Sequence, residues 1–338
     1  MIVLEVTEPS QVGAARRTAA QAAARHGFGE TDAGRLALVV TELAANLARH
    51  AGAGGTLLLG PFADAGGAGL QVLALDRGPG MTDIGACLRD GYSTGGTAGT
   101  GLGAVARLSD DWDIHSAPGL GTALLARILP RGAAPPARGG VLDWSGLAVP
   151  APGETACGDA WAMLHERLPI RLVVADGLGH GDLAARAAAA VIEAAAAAPE
   201  SPLPALFRRM HEAAGPTRGA AAAVAEIDLA AAGVRFTGVG NIAGAILGPG
   251  RIRRTVSLSG TLGHVLHRVQ LFDYPFPPGS LLVLNSDGLV SSWSLDPYPG
   301  LPARHPALIA GILWRDFRRG RDDTTVVVVR HRAAPAAA

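Results

Sequence analysis

The stretch RLVVADGLGHGD, residues 171–182, runs an apolar strand straight into an Asp-Gly pair and a glycine-rich turn. The same join recurs in LLVLNSDGLV (281–290) and in VLALDRGPG (72–80). Taken singly, each pair is a turn: Asp folds its side chain back onto the backbone, and Gly accepts positive φ. Three apolar runs that end in an acid followed by small residues raise a second reading, in which the strand ends carry sites. The residues around each join decide between the two.

Composition narrows the chemistry first. The chain has 338 residues, enough for two domains with separate cores. Only 17% of residues are charged and 29 basic side chains face 29 acidic ones, so no nucleic-acid or membrane field is expected. Lysine is absent, which excludes a P-loop lysine, a kinase strand lysine and a Schiff base. Cys87 and Cys157 lie in different halves without metal or redox spacing, as in a reducing cytoplasm. No apolar run has the length of a membrane span, and MIVLEVTEPS lacks the pattern of an export signal. A soluble, cytoplasmic protein is expected.

The Pro/Gly/Ala stretch PRGAAPPARGG (130–140) buries nothing and reads as a linker. It divides the chain into domains at 1–130 and 141–331, with 131–140 as linker and 332–338 as a disordered tail. The first half reads as a strand at 2–6, a helix at 12–26 and a longer helix capped by Thr31 or Asp32 and stopped by Gly52. Strands GTLLLGPF and LQVLALD follow, then a glycine-rich loop at 78–103, a short helix and a closing hairpin. The second half is rich in strands, with helices near 182–198, 203–214 and 306–318. The fold class is therefore α+β with two domains.

On the long helix Glu42 and Asn46 stand four apart and share a face. That face is followed in sequence by a loop opening DRGPG and closing GTGLG. Glycines 78, 80, 99, 101 and 103 permit the close backbone approach that phosphates need, and the last of them open a helix whose N–H groups suit an anion. An Asn beside phosphates suits Mg²⁺, a hard ion that takes oxygen ligands. The alternative is a solvated helix face beside a plain loop. Order and spacing together favour the site. It is no Rossmann fingerprint, because the βαβ context is missing.

ELAAN, DRGPG and GTGLG resemble the N-box, D-x-G-x-G box and G-x-G-x-G box of the GHKL ATP-binding fold, over nearly all of residues 1–130. The compact loop and the lack of a phosphoacceptor helix resemble its anti-sigma and stress-switch serine kinases. The resemblance implies an α/β sandwich with helices on one face of a mixed sheet. It implies that Asp76 holds the adenine amino group and that Thr122 supports that end. Asn46 would ligate Mg²⁺, Gly78, Gly80, Gly99, Gly101 and Gly103 would close on ATP, and Glu42 would be the base for a serine hydroxyl.

In the second half, Asp159 follows glycine in CGDAW, Asp176 and Asp287 end strands, and Asp322 and Asp323 precede the last strand. Carboxylates gathered at one pole of a sandwich stay ionised together only with cations among them. An all-oxygen set suits Mg²⁺ or Mn²⁺, and no Cys/His cluster suggests zinc. Two such ions would activate water and neutralise a phosphoryl group.

The order G-D, A-D-G-L-G-H-G, S-D-G-L and D-D-T-T resembles the metal-dependent protein phosphatase 2C family, in its bacterial sporulation and stress-response branch, over residues 138–331. The resemblance implies an α-β-β-α sandwich holding two Mn²⁺ or Mg²⁺ through Asp159, Asp176, the Gly177 carbonyl, Asp287 and Asp322, with Asp176 and Asp287 central to catalysis. Asp323 falls where the wider family often has Asn. No counterpart of the eukaryotic phosphate-binding Arg stands near the first strand; Arg218 is a weak substitute. His180 is a candidate general acid but serves equally as a turn residue, and Asn241 reads as structural support.

Together the two halves point to a bifunctional bacterial partner-switching regulator: a serine kinase-like module fused to a phosphoserine/phosphothreonine phosphatase. Its expected partners are STAS-domain antagonist or stressosome scaffold proteins in free or phosphorylated form, with a sigma factor as a further candidate, and neither nucleic acid nor membrane. The alternative is a first half that binds nucleotide and sequesters a partner without phosphotransfer.

Overall fold

A computed structural model describes residues 1–64, 67–88, 101–132, 140–164, 169–248 and 250–333. Met1–Gly140 with Ser294–Arg315 form one compact unit, and Val141–Trp293 with Asp316–Ala338 form the other. Residues 294–315, read as part of the second domain, have their contacts grouped with the first unit.

In the first unit β1 (Ile2–Val6), β2 (Gly55–Asp64), β3 (Gly67–Asp76), β4 (Asp111–Ser116) and β5 (Thr122–Ile128) form a sheet of order β1-β2-β3-β5-β4. Every neighbouring pair is antiparallel, where a mixed sheet was expected. The reason is that β5 inserts between β3 and β4, the two strands whose directions would have paired in parallel. Helices α1 (Val12–Arg25) and α2 (Glu30–His50) cover one face. Helical spacing brings Leu36, Val39, Val40, Leu43 and Leu47 of α2 onto Leu57, Leu59, Leu70 and Val72.

Leu58, Leu73 and Leu75 alternate with that set and are also buried, so both sheet faces are apolar. Helix α7 (Pro306–Phe317) meets the second set: a Cβ on its Gly311 would lie 3.2 Å from Leu75 Cδ2. The start of α2 also corrects the sequence reading. The helix begins at Glu30 behind Gly29, and Asp32 instead accepts from Arg35 at 3.1 Å and from the Arg131 N–H at 2.8 Å. Two short helices, α3 (Ile84–Leu88) and α4 (Gly101–Leu108), precede β4.

The second unit stacks two antiparallel sheets. One, of order β13-β10-β9-β8-β7, contains β7 (Asp159–Leu164), β8 (Ile170–Gly177), β9 (Ala220–Asp228), β10 (Gly233–Val239) and β13 (Phe272–Pro275). The other, of order β12-β11-β14-β15-β6, contains β6 (Leu142–Val149), β11 (Ala243–Gly248), β12 (Arg251–Arg254), β14 (Leu281–Asn285) and β15 (Thr324–His331). Leu172, Val174 and Phe236 meet Leu282, Leu284 and Val327 between the sheets. Helices α5 (Asp182–Ala196) and α6 (Leu203–Ala214) cover the outer face of the first sheet through Val191, Phe207 and Met210. One expectation changes here: Arg332, read as tail, pairs with Asp143 at 2.6 Å.

Candidate functional site

Each unit carries one constellation. In the first, the helical repeat sets Glu42 and Asn46 one turn apart on α2, and α4 begins directly over them. A Cβ on Gly101 would stand 3.1 Å from Glu42 Oε2 and 3.5 Å from Asn46 Oδ1. A side chain here would press on Glu42, so glycine keeps this close approach of the helix start open. Gly103, one step on, is buried. Gly99 lies outside the described residues.

Asp76 ends β3, and its Oδ1 accepts from the Gly78 N–H at 2.8 Å and the Thr122 N–H at 3.1 Å. Among the described residues no donor reaches its Oδ2. Burial pushes the Asp76 carboxyl up, while the two N–H bonds and the Arg315 charge pull it back. The loops on either side are laced together: the Gly119 N–H bonds Pro79 O at 2.8 Å, and Ser116 Oγ bonds Thr122 Oγ1 at 2.9 Å. Ser116 also accepts from the Met81 N–H at 2.9 Å. Sequence reasoning missed Ser116, because a strand-end serine carries no spacing signal. A cleft lined by Pro9, Thr41, Glu42, Ala45 and Arg49 opens beside Glu42.

Gly121 shows how tightly the Asp76 turn is built. Its φ is +72°, and a Cβ there would stand 2.1 Å from Asp76 O. Gly121→Ala is therefore expected to cost about 2 kcal/mol or more of stability, read by urea unfolding. An unchanged midpoint would contradict this turn geometry.

In the second unit, register sets Asp159 directly across from Asp176 at the edges of β7 and β8. Ser286 Oγ–H donates to Asp159 Oδ2 at 2.6 Å and accepts from the Thr325 N–H at 2.9 Å, tying β7 to the ends of β14 and β15. Asn241 Nδ2 donates to Asp287 Oδ2 at 2.8 Å. Asp322 Oδ1 accepts from the Asp323 N–H at 2.9 Å, and Asp323 Oδ1 accepts from the Ala151 N–H at 2.8 Å. The Gly177 N–H bonds Gly158 O at 3.0 Å. A Cβ on Gly177 would collide with Ala184 O at 2.1 Å, so this turn also admits only glycine.

The electrostatics show these carboxylates acting on one another. Asp159 is pushed up to about 7 by burial and by Asp323 and Asp322, with its Ser286 bond opposing. Asp176 is pushed up to about 8 by burial, then by Asp159, Asp287 and Asp322. Asp323 Oδ2 is enclosed with no donor in bonding geometry, although the Gly158 backbone and the Cys157 thiol lie beside it. Among the described residues no three acids, histidines or cysteines stand placed to hold a metal ion as they are arranged here. The set is nonetheless all oxygen, mutually repelling and partly unsatisfied, which fits hard divalent cations. His180 Nδ1 lies 2.6 Å from Glu154 Oε1 at the exposed rim, and the Arg218 guanidinium lies near Gly179.

Comparison with known proteins follows the same division. A histidine kinase-like ATPase domain matches residues 6–128, and the stage II sporulation protein E (SpoIIE) family matches residues 168–332. The serine/threonine-protein kinase RsbT of Bacillus subtilis (strain 168) is 40% identical over 113 residues, covering 33% of this chain and 84% of that one. The first half belongs to the family of this kinase. The second half is similar to the phosphoserine phosphatase RsbX of the same strain, 26% identical over 138 residues, 40% of this chain and 69% of that one. A solved chain from the bacterial stressosome, described as a modular system adapted to secondary messenger signalling, superimposes with a TM-score of 0.52 at 29% identity. It covers 56% of this chain and 99% of that one. An RsbT-type kinase-like module is thus fused to a SpoIIE-type phosphatase domain, the combination found in partner-switching regulators. Among the described residues no helix is long and apolar enough to cross a membrane.

Proposed function

We propose that this chain both phosphorylates and dephosphorylates serine or threonine on STAS-type antagonist or stressosome proteins. The observation that carries the phosphatase half is the register that sets Asp159 across from Asp176, with Asp287 and Asp322 near enough for their charges to push the Asp176 carboxyl up. Asp159, Asp176, Asp287, Asp322 and the Gly177 carbonyl would hold two Mn²⁺ or Mg²⁺, which when bound supply charge neutralisation and an activated water for attack on phosphorus. Asn241 and Ser286 keep Asp287 and Asp159 oriented, and Asp323 fixes the Ala151 backbone.

In the first half Asp76 would read the adenine amino group through its unbonded oxygen, with Thr122, Gly78 and Gly80 shaping that end. Gly101 and Gly103, together with Gly99, would close on the phosphates of ATP, and Asn46 would hold their Mg²⁺. Glu42 would take the serine proton as the new O–P bond forms and the bond to ADP breaks. A sequestering module without phosphotransfer is the competing reading.

The test is to incubate the full chain with STAS proteins encoded beside it, using ATP with and without Mn²⁺, and to follow phosphate by intact mass. Gain of one phosphate with ATP, and its loss on adding Mn²⁺ to purified phosphoprotein, is the expected result. No mass change in either direction would sink the proposal.

A further inference from the structure

In the second unit, the turn that leaves β8 beyond Asp176 runs beside the loop GPTRG (215–219) that leads into β9. The antiparallel register of the two strands ends at Gly177 across from Ala220. It continues for one more step, where the Leu178 N–H donates to Gly219 O at 3.0 Å. Gly179 therefore comes to face Arg218. Its φ is +86°, and a Cβ there would stand 3.1 Å from Arg218 Nη1. The guanidinium thus lies across bare backbone that another residue's side chain would crowd.

The main chain that carries Arg218 is tied on both sides. Thr217 Oγ1 donates to Ala214 O at 2.6 Å and accepts from the Gly219 N–H at 3.0 Å. His264 Nε2–H donates to Arg218 O at 2.8 Å, and the Ala220 N–H donates to Leu262 O at 3.1 Å. The side chain is held by none of this. Arg218 is exposed, and among the described residues its guanidinium pairs with no acid. Glu154, the acid beside the same turn, is already engaged by His180 at 2.6 Å. A cation on a fixed base, with no partner to give up, is suited to an anion that arrives from outside.

Depth decides which anion that is. Asp159 is only 5% exposed and Asp176 is half-buried, so a phosphoryl group among these carboxylates lies below the surface. Arg218 stands at the rim, where it meets the part of a protein substrate that stays outside. The anionic groups available on such a chain are Asp and Glu side chains. Arginine's planar fork takes a carboxylate through two parallel N–H bonds, a geometry that lysine lacks.

We infer that Arg218 is a specificity-determining residue of the phosphatase unit, which binds an acidic side chain of the protein substrate beside its phosphorylated serine or threonine. The inference rests on the phosphatase reading above. It selects among phosphoproteins by what flanks the phosphate, and the phosphate itself is left to the carboxylates and their metals.

The experiment uses the full chain with Mn²⁺ and phosphoserine peptides that differ only in their flanks, which are glutamates, glutamines or arginines. Hydrolysis of p-nitrophenyl phosphate is measured alongside. The wild type is expected to prefer the glutamate peptide over the glutamine peptide by about fivefold in kcat/KM, the upper range for an exposed ion pair. The preference should reside in KM and shrink as NaCl is raised to about 0.5 M. In Arg218→Ala the ratio should fall to about one, and Arg218→Lys should keep part of it. Arg218→Glu should turn the preference towards the arginine peptide, an outcome that a loss of folding does not imitate. Equal hydrolysis of both peptides by the wild type would overturn the inference and leave the phosphatase reading intact. So would an Ala variant that keeps the preference. An Ala variant that loses as much with p-nitrophenyl phosphate as with the glutamate peptide would overturn it too, by placing the guanidinium on the phosphoryl group. A wild type that hydrolyses none of these substrates would overturn both.

Discussion

Asp176→Asn is expected to reduce Mn²⁺-dependent dephosphorylation of a phosphoserine protein by roughly a thousandfold, the rate equivalent of about 4 kcal/mol of lost transition-state stabilisation. The same change should stabilise the metal-free protein. Asp176 sits at about 8 because burial and then Asp159, Asp287 and Asp322 oppose its charge. A carboxyl whose folded pKa is raised favours the folded state while protonated, below its ordinary value near 4, and loses that advantage as pH rises through 8. Metal-free wild type should therefore lose stability between pH 4 and 8, with Asp159, at about 7, adding to the slope. Asn removes one share of that slope. Thermal midpoints in chelator at pH 5 and pH 8 measure it, and added Mn²⁺ should raise the wild-type midpoint at pH 8. Full activity in the Asn variant would rule out the assignment of Asp176 to the metals.

The turns proposed to carry the sites were more legible than their surroundings for a physical reason. An Asp after an apolar run, followed by glycine, is a local pattern, and the turns at Asp76, Asp176 and Asp287 all form where that pattern predicts. Partners contributed from elsewhere leave no local trace. Ser286 and Ser116 are ordinary residues whose importance comes from the strands they join. The edge strand β13 was missed because FDYPFPP reads as a proline-rich loop, although its pairing with β10 uses only Phe272–Pro275. Asp32 looked like a cap, but Arg35 and the Arg131 backbone take its oxygens.

Helix α7 did carry a signal. PALIAGILW is apolar on every side, and a helix of that kind is buried on all faces. Periodicity shows such a helix without showing which core receives it. The matching trace on the other side is the alternating burial of Leu73 and Leu75, which leaves the sheet apolar on both faces. These two signals lie far apart in the chain, and neither one names the other.

Glu42→Ala is expected to lower phosphotransfer to a STAS serine by about 10²- to 10⁴-fold while ATP affinity stays within about threefold. The two effects separate because of where Glu42 stands. Its Oε2 faces Gly101 from one side, whereas the adenine end is organised by Asp76 and Thr122, which do not contact it. Removing the carboxylate takes away a proton acceptor without touching the groups that would hold the base or, through Asn46, the phosphates. Asn46→Ala should give the opposite split, with Mg²⁺-dependent ATP affinity falling first. Radiolabelled γ-phosphate transfer measured beside calorimetric ATP binding distinguishes the two variants. A Glu42→Ala protein that transfers phosphate at the wild-type rate excludes Glu42 as the base. A wild type that binds ATP and a STAS partner yet labels none assigns the first half to nucleotide-dependent sequestration, and catalysis then belongs to the carboxylates of the second half alone.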